Sequence, residues 1–429
     1  MKKIGLYLAA AILLVISACN KEYSNPSTSG QDQVVKDVNG LIAVANGLQF
    51  RYTIGRTSPV YSYITASGLT CKELLVKNQG NTDEANLESG KGNVASSNSV
   101  VSRMWEQTNL IKANADLILN NLGPINDEKT RNTLTCYANL FKGLALLQQA
   151  TFWEQAPLTT GTKATFSPRV DVLKAALKLF VDGAAASKTI NLTTKYVGNI
   201  NFPNSFNALA ARTNLMLGNY DAAIAAADLV DLKSKSSFTY DDATRNPIFD
   251  VSYSGVNVCE PVDSTMGLPS ALKPDAKDKR VLFYLKTKVK DPKINSGKGF
   301  FTGNSAAVPV YLGSEMNLIK AECYARKDDV VKAIAELDKV LTKKAADDVW
   351  GVGAESPAYA GDKTKDAILN EVYRQRCIEL FNSGLKLEDS RRFNRPGPND
   401  AGSERSRNFY PYPQNERDNN TNTPADPTI

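Results

Sequence analysis

The sequence predicts a mainly α-helical protein: scattered tetratricopeptide-like helix pairs form a scaffold, and a large loop-rich lobe is inserted into it. Three observations predict this. Apolar residues recur at helical spacing along several long stretches. Two of those stretches carry small residues at the offset typical of paired antiparallel helices. Between them, residues 234–310 concentrate Pro, Gly, Ser, Asp and Asn, and the segment is too long for one connecting loop of a compact solenoid.

The first residues read as an address. Lys2 and Lys3 precede an apolar run over residues 5–16, shorter than the roughly 20 residues a spanning helix needs. The run ends in Ile16-Ser17-Ala18-Cys19, the layout of a lipoprotein signal peptide over residues 1–18. Cys19 is then the thiol that takes a lipid. With the rest of residues 19–33, polar and rich in Ser, Asn and Gly, it forms a lipidated tether. No later stretch is long and apolar enough to span a bilayer.

A first amphipathic helix is expected over residues 34–50. Residues 56–100, rich in Ser, Thr, Gly and Asn, read as largely loop with short strands. Helices follow over 101–122, ended by Gly123-Pro124, then from behind Asp127 to Phe152, and over 170–186. Next, Ala211 and Ala223 lie twelve apart around Gly218 and Tyr220 in NALAARTNLMLGNYDAAIAAADLV. Small residues let the two helices of a repeat approach closely, and the glycine sits at the turn. Ala321 and Ala333 repeat that offset in NLIKAECYARKDDVVKAIAELDKVL, with Asp328 in the place of the glycine. Within the lobe, RVLFYLKTKV reads as β-like. A last helix covers about 365–383, and the tail from Arg395 reads as irregular.

Composition excludes much chemistry. The 429 residues contain no histidine, which removes imidazole-based nucleophile systems and histidine-bearing metal sites. No EF-hand spacing occurs. The net charge of +6 is spread along the chain, which argues against a nucleic-acid partner. Cys71, Cys136, Cys259, Cys323 and Cys377 remain besides Cys19, an odd number that argues against a disulfide framework. Three of them sit in helical, apolar stretches as small buried hydrophobes.

Several stretches, in order, resemble the SusD/RagB-like outer-membrane lipoproteins of Bacteroidetes. CYANLFKGLALLQQATFWEQAPL (136–158) is similar to the family helix that ends in x-x-x-P-L. Asp278 and Arg280 around Lys279 look like its DxR stretch. VPVYLGSEMNLIKAECYA (308–325) resembles the opening of its C-terminal helix pair. Glu379, Leu380 and Gly384, then Asp389 and Arg392, are similar to its E-L-x-x-x-G and D-x-x-R patterns, and YPYPQNERD (410–418) to its closing segment. The chain departs from the pattern in lacking an Arg-rich entry to its first long helix and in an aromatic-poor lobe; residues 234–267 match least. The resemblance implies one SusD-like domain over residues 34–429, lipid-anchored on the outer-membrane surface. It implies capture of a nutrient, an oligosaccharide or, in another branch of the family, a peptide, for a SusC-like TonB-dependent transporter. It implies no catalytic residue, cofactor or metal.

A glycan site needs exposed aromatic rings beside amide and charged groups, because sugar rings present C–H faces and hydroxyls. Trp105 and Trp153 lie in core-like helical contexts. Trp350 lies in DDVWGVGAESPAYAG, a loop with Asp347, Asp348 and Tyr359, and is the leading candidate. Tyr61 and Tyr63 in SPVYSY, which also reads as a short strand, and Tyr240 and Tyr253 in the lobe complete the set. Asp278 with Arg280 and Asp389 with Arg392 read as internal ion pairs. Arg391, Arg392 and Arg395 leave open an anionic ligand. A protein-interaction scaffold and a carboxylate-based glycoside hydrolase also stay open at this point.

Overall fold

The computed structural model describes residue 35 and residues 37–254, 257–288, 291–297 and 299–429. The signal peptide, Cys19 and the tether lie outside the described residues.

Side-chain caps start most of the long helices. Asp37 accepts from the Asn39 N–H at the head of α1 (Val38–Thr53), and Ser58 from the Tyr61 N–H at the head of α2 (Pro59–Thr70). Strand β1 (Leu74–Val76) and α3 (Thr82–Ser89) follow. Asn98 caps α4 (Ser99–Asn120), and Asp127 caps α5 (Glu128–Phe152) as its position suggested. The hairpin of β2 (Gln155–Pro157) and β3 (Phe166–Pro168) leads into α6 (Arg169–Ala186).

The scaffold stacks in sequence order, α4 on α5, α5 on α6 and α6 on α7 (Phe202–Leu217). Gly183 permits the last contact: a Cβ there would stand 2.3 Å from the Phe206 ring. The first tetratricopeptide-like pair is α7 with α8 (Tyr220–Asp228), and Gly218 ends α7 at φ +77°. The second comes after the lobe, as α10 (Gly313–Arg326) and α11 (Val330–Leu341), with Asp328 at φ +63° in the turn. Ala211, Ala223, Ala321 and Ala333 are fully buried between their helices, while Tyr220 is half-buried beside the first turn. Then come α12 (Lys365–Glu379), α13 (Lys386–Arg392) and α14 (Gln414–Asn419).

The lobe contains β4 (Ser237–Phe238), a π-helical turn at Ile248–Tyr253, β5 (Cys259–Pro261), α9 (Lys279–Tyr284), β6 (Leu285–Lys288), β7 (Asp291–Gly297) and β8 (Val308–Pro309). Its strands form antiparallel pairs. β5 joins β1 of the scaffold with Leu75 opposite Glu260, and β8 returns to β4 just before α10. One apolar cluster runs from Leu41 to Tyr412. Each fully buried Leu or Phe in it contributes about 1.5–3 kcal/mol through removal from water. The five described cysteines are buried and unpaired, as small hydrophobes. Among the described residues, no helix is long and apolar enough to cross a membrane.

Three expectations need correction. Residues 56–100 are held by α2 and α3 rather than being largely loop, and SPVYSY opens a helix, not a strand. α2 is buried on nearly every face, so it shows no amphipathic period. RVLFYLKTKV begins as helix, because Asp278 caps α9 by accepting the Arg280 N–H, and turns to strand only at Leu285. The tail carries α14 and buries Tyr410 and Tyr412 against the scaffold.

Candidate ligand-binding site

A chain of buried ion pairs fixes the loop that carries Trp350. Arg280, at the start of α9, has no exposed surface and donates to Asp278 at 2.6 Å and to Glu379 at 3.0 Å. Gln375 accepts from it as well. The other oxygen of Glu379 accepts from Lys343 at 2.8 Å, and Lys343 reaches Asp348 at 2.7 Å. Asp348 in turn accepts from the backbone N–H groups of Trp350 and Val352, at 2.9 and 3.1 Å. Burial alone would raise the Glu379 carboxyl; the Lys343 and Arg280 cations outweigh it and hold it below the usual carboxylate range. The loop is thereby tied to α9 and α12 rather than left to its glycines.

The Trp350 ring is half-buried. Phe300 meets it edge-on, with centroids 5.7 Å apart, and Lys235 places its ammonium 4.9 Å from the indole centroid. Behind Phe300 lies a small cavity of about 90 Å³, several times the roughly 10–15 Å³ that one water needs. Its walls come from both parts of the protein: Tyr63 of α2, Leu144 and Gln148 of α5, Phe300 and Phe301 of the lobe, and Asn382 in the turn after α12. Arg212 and Glu315 also line it, paired to each other by two bonds of 2.6 and 2.7 Å and buried. Among the described residues, no group of His, Cys, Asp and Glu side chains is placed to hold a metal ion.

The SusD family model matches residues 231–428, a stretch that includes the lobe, the second helix pair and the Trp350 loop. That stretch, a little under half of the chain, is similar to the SusD family. Solved structures agree in fold over nearly the whole length. A SusD homolog from Bacteroides thetaiotaomicron has a TM-score of 0.72 at 10% identity, covering 94% of this chain and 99% of that one. A SusD-like carbohydrate binding protein from Bacteroides fragilis has a TM-score of 0.68 at 13% identity, with coverage of 91% and 99%. A SusD superfamily protein from Bacteroides vulgatus has a TM-score of 0.65 at 14% identity, with coverage of 91% and 98%. At these identities the likeness is one of fold. No curated protein matches the sequence.

Within this SusD-like fold the candidate rings separate. Trp350 and Tyr63 pack into one apolar cluster with Phe300. Tyr253 stands close by: its ring meets Phe301 at 5.9 Å, and its hydroxyl accepts from the Asn382 amide at 2.9 Å. Tyr61 and Tyr240 are 1% and 8% exposed, which corrects the expectation of open rings there: Tyr61 points into the core from α2, and Tyr240 is buried in the lobe. Tyr359 joins a different cluster, beside α11, and donates its hydroxyl to the Asp362 carbonyl at 2.9 Å. Trp105 and Trp153 are buried, as their contexts implied.

The expected internal ion pairs form. Arg392 spans Asp389 and Glu322, each at 2.8 Å; Arg391 pairs with Glu388, and Arg395 with Glu404. These guanidiniums hold the fold rather than face an anionic ligand. Phe300, Lys235, Gln148 and Asn382 were missed. The Phe300-Phe301 pair is the one visible signal; Gln148 and Asn382 look like ordinary helix and turn residues until the chain is folded.

Proposed function

We propose that this SusD-like protein captures an oligosaccharide at the outer-membrane surface and passes it to a SusC-like TonB-dependent transporter, doing no covalent chemistry itself. The observation that carries the reading is Trp350: a half-exposed ring on a loop held by Asp348 and Lys343, with Lys235 alongside. A rigid aromatic face among hydrogen-bonding charges suits a sugar ring, which offers C–H bonds to the one and hydroxyls to the other. The carbohydrate binding described for the Bacteroides fragilis relative supports the same choice. Lipid attachment at Cys19 and one SusD-like domain over residues 34–429 belong to this reading; the apolar cluster from Leu41 to Tyr412 supports the latter.

Calorimetric titration of the lipid-free protein with oligosaccharides and short peptides tests it. Heat with one glycan class is expected. Heat with peptides alone would move the protein to peptide capture, and hydrolysis of the glycan would overturn the binding-only role. In cells, Cys19→Ser should release the protein from the membrane fraction; retention there would contradict anchoring by lipid.

A further inference from the structure

The cavity behind Phe300 has a chemistry of its own. Its walls are mostly apolar, yet two buried amide oxygens on them have no hydrogen-bond partner: Oε1 of Gln148, 1% exposed, and Oδ1 of Asn382, 3% exposed. The other end of each amide is engaged. Gln148 Nε2 donates to the Pro59 carbonyl at 3.3 Å and to Ser62 Oγ at 3.2 Å, and Asn382 Nδ2 donates to the Tyr253 hydroxyl at 2.9 Å. Ser383 Oγ, on the same wall, is also unpartnered. Leaving a buried acceptor unpaired is unfavourable, and buried polar atoms are satisfied in the great majority of cases. Arg212 donates to Glu315 and to the Val310 carbonyl, and to neither of these oxygens.

We propose that this cavity is a second binding site, for a small molecule with an aromatic or branched aliphatic body and one or two hydroxyl or amine donors. The body lies against Leu144, Phe300 and Phe301, and the donors meet Gln148 Oε1 and Asn382 Oδ1. A bare sugar is the wrong occupant, since most of its hydroxyls would face apolar wall with no partner. The half-buried members of the wall are Tyr63, Phe300, Pro309 and Ser383. The site does not depend on glycan capture at Trp350, and a different ligand tests it.

Benzyl alcohol, its isostere ethylbenzene, and glucose are titrated into the lipid-free protein by ligand-observed NMR. Benzyl alcohol is expected to bind most tightly. Gln148→Met, which keeps the shape and removes the acceptor, should weaken benzyl alcohol roughly five- to tenfold and leave ethylbenzene unchanged. Leu144→Phe should fill the space and abolish both; if it does not fold, Gln148→Met decides alone. Equal binding of benzyl alcohol and ethylbenzene, insensitivity to Gln148→Met, or no binding because ordered water alone satisfies the two oxygens would each overturn the proposal.

Discussion

Arg280 and Glu379 stand 99 positions apart in the sequence and meet at 3.0 Å with no exposed surface on either side chain. The pair joins the lobe to α12, and through Lys343 and Asp348 it sets the backbone under Trp350. Removing one partner of such a pair leaves an uncompensated charge in the interior. Arg280→Met should therefore cost about 3–5 kcal/mol, read from the urea midpoint at constant slope. A loss below about 1 kcal/mol would mean that Lys343 alone neutralises Glu379.

Glu73 predicts a pH dependence. Its carboxyl is 1% exposed, and burial, opposed by Lys386, pushes its pKa up to about 7 from an ordinary 4.5. Between those values the folded state holds a proton that the unfolded chain has released, so stability falls as pH rises through that window. The slope approaches about 1.4 kcal/mol per pH unit at its steepest. Glu73→Gln should remove this component. Thermal melts from pH 4.5 to 7.5 check it, and identical slopes for the two proteins would contradict it.

The glycines of the scaffold separate two effects. Gly183→Ala places a methyl against Phe206, so overpacking should outweigh the gain in helix propensity and cost about 1–3 kcal/mol. At Gly218 nothing lies within 4 Å of an added Cβ, and only the left-handed backbone at φ +77° opposes it. Gly218→Ala should cost about 1–2 kcal/mol. Denaturant unfolding of both variants checks the order.

The fold was legible where the sequence repeats a physical rule. The Ala211/Ala223 and Ala321/Ala333 spacing, the Gly218 turn and the Asp127 cap all describe local geometry, and the helices sit within a few residues of their expected bounds. Asp328 could stand for a turn glycine because Asp tolerates the left-handed region. α2 was not legible, since a helix buried on all sides has no polar face to mark its period. The site was half legible. Trp350 stands out as a candidate by its loop, but Gln148 and Asn382 become candidates only through what the fold leaves unpaired around them. Tyr61 misled because alternation in SPVYSY is as compatible with a buried helix start as with a strand.

Trp350 gives the most direct test of the central claim. Trp105 and Trp153 are 3% and 0% exposed, so a change in tryptophan emission on ligand addition reports mainly on Trp350. The lipid-free protein is titrated with neutral hexasaccharides of the α-glucan, β-glucan, mannan and fructan types, alongside Trp350→Ala followed by calorimetry. The account predicts a saturable emission change with one glycan class, and at least tenfold weaker binding in Trp350→Ala while that variant still unfolds cooperatively. Binding of the glycan with undiminished affinity to Trp350→Ala would contradict it.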